Sequence, residues 1–223
     1  MTVSTGVFCK RLLFSSVVLL VIGPVSYGLY VWKEGNFDVV AEGRVYRSRQ
    51  LDQYELARYV REYGIKSILN LRGKNLGSRW YQEELMAAES LALRHYDYGI
   101  SANRDVADQD LERILAILRE APKPILIHCK SGADRTSLIS ALYLYGIEGR
   151  SPEEAEQQFS MRYGHIPFLG NSTAAMDRAF RRYVRTHPLS RSTPQHGSLP
   201  ASKAMTDDAM DGRIPRDGRR DGI

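Results

Sequence analysis

The 223-residue chain is 43% hydrophobic and 26% charged, the balance of an ordinary globular protein and not of a disordered or fibrous one. Its formal charge of +5 is scattered: Lys10 and Arg11 carry two of the charges, and the segment after residue 187 is nearly neutral. That distribution excludes a nucleic-acid binder that works through a basic patch, and two cysteines, Cys9 and Cys129, on opposite sides of an apolar stretch exclude a disulfide framework.

Lys10 and Arg11 precede residues 12–32, which carry no charge. The run is close to the roughly 20 residues that span a bilayer as a helix, and a positive flank is retained in the cytoplasm. The expectation is an N-terminal transmembrane anchor or signal peptide over 1–33, a catalytic domain over 34–187 and a disordered polar tail over 188–223. The domain is then membrane-anchored or exported, and periplasmic if the source is a Gram-negative bacterium. Ser26-Tyr27-Gly28 is a poor cleavage site, and Tyr30 and Trp32 suit an interfacial aromatic belt.

In the central region Val45 to Ser48 reads as a strand, and Asp52 begins a helix that Gly64 ends. Lys66 to Leu71 is β-rich, Arg79 to Leu93 helical, and His95 to Tyr98 a strand. Asp108, as N-cap, opens a helix whose Leu111, Ile114, Leu115 and Leu118 form one apolar stripe, and Pro122 and Pro124 stop it. Ile125 to His128 is a short apolar strand, Thr136 to Gly146 a helix apolar on most sides, and Ser151-Pro152 a helix start. A last helix covers residues 172–186. Strands alternating with helices predict an α/β fold, a mostly parallel central sheet flanked by helices.

Between that last strand and its helix runs His128-Cys129-Lys130-Ser131-Gly132-Ala133-Asp134-Arg135-Thr136. Such a loop can turn successive backbone N–H groups onto one anion, the helix dipole adds to them, and Gly132 permits the tight path. Arg135 can fork two hydrogen bonds onto phosphate oxygens, and the same positive field favours a Cys129 thiolate as nucleophile. Residues 130–135 form the expected phosphate-binding set.

The H-C-x5-R-T pattern in this strand–helix context resembles the signature loop of the protein tyrosine and dual-specificity phosphatase superfamily, small bacterial atypical type. The likeness runs from about Glu42 to Tyr183, through Val45-Tyr46-Arg47-Ser48 and Asn70-Leu71-Arg72. It implies a cysteine-phosphatase fold, a phosphocysteine intermediate, phosphoryl binding by Arg135, assistance to the second step from Thr136, and loop ordering by His128. It implies no metal or cofactor. The loop does not choose a substrate: proximity of an anchored domain to a membrane favours lipid-linked phosphate, and phosphoprotein is the other option.

The family's general acid is commonly an aspartate on an upstream loop. Asp105, between a strand and a helix, is the choice here, with Asp97, Asp108, Asp110 or no aspartate left open. Arg104 and Lys74 are candidate substrate contacts or plain surface charges. Gln157 and Gln158 read as a solvated helix face, with water positioning as the alternative, and His95 and His165 as structural. Two competing functions remain: a non-catalytic phosphate-binding module and a rhodanese-like sulfurtransferase.

Overall fold

The computed structural model describes residues 20, 22–23, 25–28, 33–166 and 174–189. Most of the expected membrane segment and nearly all of the expected polar tail lie outside them. Among the described residues no helix is long and apolar enough to cross a membrane.

Five strands form one sheet: β1 (Asp38–Ala41), β2 (Val45–Ser48), β3 (Ser67–Asn70), β4 (Arg94–Asp97) and β5 (Ile125–His128), in the order β1-β2-β5-β3-β4. β2, β5, β3 and β4 are parallel, as expected, and β1 adds an antiparallel edge that the sequence reading did not contain. β5 sits between β2 and β3, with Ser48 and Asn70 both in register with His128. The carboxyl ends of three strands therefore meet where the Cys129 loop begins, the edge at which open α/β sheets bind ligands.

Successive strand residues face opposite layers. Tyr46, Ile68 and Leu126 pack under α1 (Gln53–Tyr63) and α2 (Arg79–Ser90) with Leu56, Tyr59, Ala87 and Ala88. On the other face Val45, Leu69, Ile125 and Ile127 meet α3 (Asp108–Glu120), α4 (Asp134–Gly146), α5 (Pro152–Glu156) and α6 (Ala174–Thr186). The predicted stripe of α3, Leu111, Ile114, Leu115 and Leu118, is completely buried, each side chain contributing about 1.5–3 kcal/mol. α4 is buried on nearly every side, as its all-round apolar sequence requires.

The helix ends follow local chemistry. Asp52 and Ser151 form capping boxes with Glu55 and Glu154, and Gly64 closes α1 in the left-handed region. Asp108 departs from expectation. Ala107 is the N-cap and Asp108 the first helical residue; its carboxylate accepts instead from Arg182 Nε at 3.0 Å and Thr186 Oγ1 at 3.3 Å, bonding α3 to α6.

Candidate active site

The loop after β5 is held from outside by its carbonyl groups. Lys130 O accepts from the Gln50 amide at 3.3 Å, Ser131 O from Asn36 Nδ2 at 2.9 Å, and Gly132 O from Arg47 Nη2 at 2.7 Å. A trans planar peptide sets its N–H opposite its C=O. With three consecutive carbonyls tied outward, the amides of Ser131 and Gly132 turn toward the inside of the loop, the arrangement an anion nest needs, while the Ala133 amide donates to Ser131 Oγ at 3.4 Å. α4 starts directly afterwards, and its N-cap Ala133 supplies no side-chain cap to the first turn.

Cys129 is buried and a free thiol at the base of this loop. Arg135 Nη1 donates to the carbonyls of Leu71 at 3.2 Å and Ile100 at 3.3 Å, which anchors the guanidinium at the ends of β3 and β4, while its buried Nε has no protein partner. The Thr136 hydroxyl, fully buried, also has none, so a bond to the cysteine sulfur is not made here.

Arg47 lies beneath the loop and is completely buried. Besides Gly132 O it donates to Ser137 Oγ at 2.9 Å and Gln158 Oε1 at 2.7 Å, and its guanidinium stacks 3.6 Å from the Tyr163 ring centre. Burial pulls it down to about 10, against the raising charges of Tyr163, Cys129 and Asp38. It is thus a cation at neutral pH, and among the described residues it makes no ion pair with a carboxylate.

A residue-family model described as a DSP-PTPase phosphatase fused to NAD+ kinase matches residues 28–184. The chain belongs to this phosphatase family. The phosphatase shares its fold with the core catalytic domain of the PP-IP phosphatase SIW14 from S. cerevisiae, solved in complex with citrate. Identity is 23%, coverage 68% of this chain and 91% of that one, and the TM-score 0.52. Tk-PTP is similar at 18% identity, covering 66% and 95% of the respective chains with a TM-score of 0.51. No curated protein matches the chain. Family membership makes the chain a dual-specificity or tyrosine-type phosphatase and not a rhodanese-like sulfurtransferase.

Behind the loop of the phosphatase, His128 Nε2 lies 3.1 Å from Glu84 Oε2, and Glu84 Oε1 lies 2.7 Å from His95 Nε2. Gln50 Nε2 also donates to Glu84. Burial would push the Glu84 carboxyl up, but the charge of His128 and the hydrogen bonds of His95 and Gln50 hold it well below the usual carboxylate range. Glu84 is therefore held as an anion beside His128, whose two buried ring nitrogens make no hydrogen bond of their own among the described residues, and nothing in its helical neighbours pointed to it.

The four candidate acids are all engaged. Asp105 accepts from Arg182 Nη1, Asp97 from Tyr81 Oη at 2.5 Å and Asn70 Nδ2 at 2.8 Å, and Asp110 from Tyr98 Oη at 2.7 Å. Asp108 is spent on α6, and the structure does not bring Asp105 to the cysteine loop. Lys74 and Arg104 are exposed. Gln157 is solvated as expected but Gln158 is buried, because the chain turns back over the loop after α5 and places it on Arg47.

His165 is structural, as expected, and ties the loop to α6: its two ring nitrogens lie 2.8 Å from Asp134 Oδ1 and 2.9 Å from Asp177 Oδ2. Burial alone would lower the imidazole, but the two aspartates carry it up to about 9. A folded-state value above the unfolded 6.5 gives stability that is complete below pH 6.5 and is lost as pH rises through 9. Unfolding free energy measured by denaturant titration should therefore fall by a few kcal/mol between about pH 6.5 and 9.5. His165→Gln should lose most of that slope; an unchanged slope would assign it to other groups.

Proposed function

We propose that this phosphatase hydrolyses phosphomonoesters through a phosphocysteine on Cys129, with phosphorylated protein or membrane lipid phosphate as substrate. The supporting observation is the loop whose outward-tied carbonyls turn the Ser131 and Gly132 amides inward beside Cys129 and the unpartnered Arg135 Nε. Cys129 Sγ attacks phosphorus, the phosphorus–oxygen ester bond breaks, and the departing oxygen takes a proton from the general acid. Water then attacks phosphorus, the sulfur–phosphorus bond breaks, and inorganic phosphate leaves. The inward amides and Arg135 stabilise the charge on the transferring group, and the Thr136 hydroxyl suits donation to the departing sulfur.

Asp105 is the proposed acid. It lies five residues beyond Ile100, whose carbonyl holds Arg135, and its role requires release from Arg182. Residues 1–33 are proposed as the anchor or signal that carries the catalytic domain across a membrane. The uncharged run after Lys10 and Arg11 supports this reading, as do exposed Leu20, Ile22 and Val25.

The test is phosphate release by the purified full chain from phosphotyrosine peptides, phosphoserine peptides and dispersed lipid phosphates. Turnover of at least one class is expected, and a folded protein that releases phosphate from none would overturn the proposal. Asp105→Asn should slow alkyl esters by about 10²-fold or more, and aryl esters, whose leaving groups need less protonation, by less. Equal rates for variant and wild type on alkyl esters would move the acid elsewhere.

A further inference from the structure

Arg72 follows the carboxyl end of β3 and is held beside the cysteine loop by two contacts. Its guanidinium carbon lies 3.3 Å from the ring centre of Trp80, and its Nη1 donates to Gln50 Oε1 at 3.0 Å. Gln50 is the residue whose backbone amide binds Lys130 O, and the carbonyl just before Arg72, that of Leu71, holds Arg135 Nη1. The two arginines therefore stand on adjacent parts of one frame. Neither has a carboxylate within ion-pair distance among the described residues, and the Nε and Nη2 of Arg72 have no protein acceptor there. Burial and the charge of Arg135 lower the Arg72 guanidinium, whereas Glu84 and Cys129 raise it, so it shares the electrostatic environment of the cysteine.

Two neighbouring guanidinium groups without a carboxylate at ion-pair distance repel in a half-buried site, and the more distant charges of Glu84 and Cys129 offset that for Arg72 only in part. A dianionic group lying between them removes that repulsion. Arg72 is also shaped for such a contact: stacking on Trp80 fixes the plane of the guanidinium and leaves one edge for a two-pronged bond to phosphate oxygens. We infer that Arg72 is a second anion-binding group of the catalytic site, and that the preferred substrate carries a second phosphate group beside the one transferred to Cys129. This inference rests on the reading of the cysteine loop as the site of phosphoryl transfer.

The test compares pyrophosphate with orthophosphate as ligands of the full chain carrying Cys129→Ser, by calorimetry, with and without Arg72→Met. Pyrophosphate should bind about 10- to 100-fold more tightly than orthophosphate, and Arg72→Met should bring the ratio to within about threefold. Arg72→Lys should restore part of it, because a point charge replaces the fork. Equal weakening of both ligands would make Arg72 a structural support of Gln50, and an unchanged ratio would remove it from the site; either overturns the inference. Failure of both ligands to bind even with Arg72 intact would instead count first against the phosphate-binding loop, and so against the inference built on it.

With Cys129 intact, the preference for a polyol bisphosphate over its monophosphate should collapse in Arg72→Met. Free headgroup and the same headgroup on a vesicle, run as separate arms, distinguish a soluble from a lipid source of the second phosphate. No preference in the wild-type protein for either bisphosphate would again overturn the assignment.

Discussion

Cys129→Ser is expected to lower phosphate release from every substrate by about four orders of magnitude or more, since a serine hydroxyl at this site has no base to activate it. Oxyanion binding should survive, because Arg135, held by Leu71 and Ile100, and the amides turned inward by Gln50 and Asn36 do not depend on the sulfur. Vanadate or orthophosphate titration should find affinity within about threefold of wild type. A serine variant that kept a tenth of the rate would place the nucleophile elsewhere. Loss of binding together with rate would mean that the thiol also supports the loop.

The second large effect is expected from Gly132→Ala, which damages geometry and leaves the chemistry untouched. Gly132 has φ of +73°, and a Cβ there would stand 2.7 Å from Arg49 N and from Ser48 C, and 2.8 Å from Ser48 O. These are backbone atoms at the end of β2 and have no rotamer in which to retreat. The left-handed conformation costs a non-glycine residue roughly 1–2 kcal/mol, and the clash adds to it, for a total of about 2–4 kcal/mol. Relief must come from moving the loop away from β2, which also breaks the bond from Arg47 to Gly132 O. Activity should fall more than about 100-fold. Gly43 is the control: its φ is +64° but nothing lies within 4 Å of its Cβ position. Gly43→Ala should cost only the conformational part and leave the rate alone. If the two variants behave alike in kcat/KM and in melting temperature, the packing argument is wrong.

The parts of this fold that were legible in sequence are those decided within a few residues. The α3 stripe, the helix starts at Asp52 and Ser151, Gly64 as a helix stop and the H-C-x5-R-T loop are all local patterns, and the structure places each as read. What escaped reading was decided across the chain. Arg47 in a β-rich run looks like an edge charge; its burial depends on Gly132, Ser137 and Gln158, which are 85 to 111 residues away. Glu84 sits on a helix face beside ordinary polar neighbours, and only the neighbouring strands bring His95 and His128 to it. Asp134 carried no sign that His165 would take its charge. β1 is a half-buried four-residue edge without strict alternation, too weak a pattern to assign. Asp105 illustrates the converse: its position between strand and helix suggested catalysis, and its partner on α6 became visible only in three dimensions.

Asn36 gives the catalytic loop a short leash. Its side chain bonds both Ser131 O and Tyr163 O at 2.9 Å, and the Gly35 carbonyl accepts from the Arg49 amide at 2.8 Å. Asn36 follows Trp32 by four residues, a stretch of chain that reaches no farther than about 14 Å. Whatever surface holds the chain at residue 32 therefore holds the phosphate cradle within a molecular diameter of itself. Under the proposed anchoring, groups that travel along that surface would come to the cradle, and groups that stay far out in solution would not.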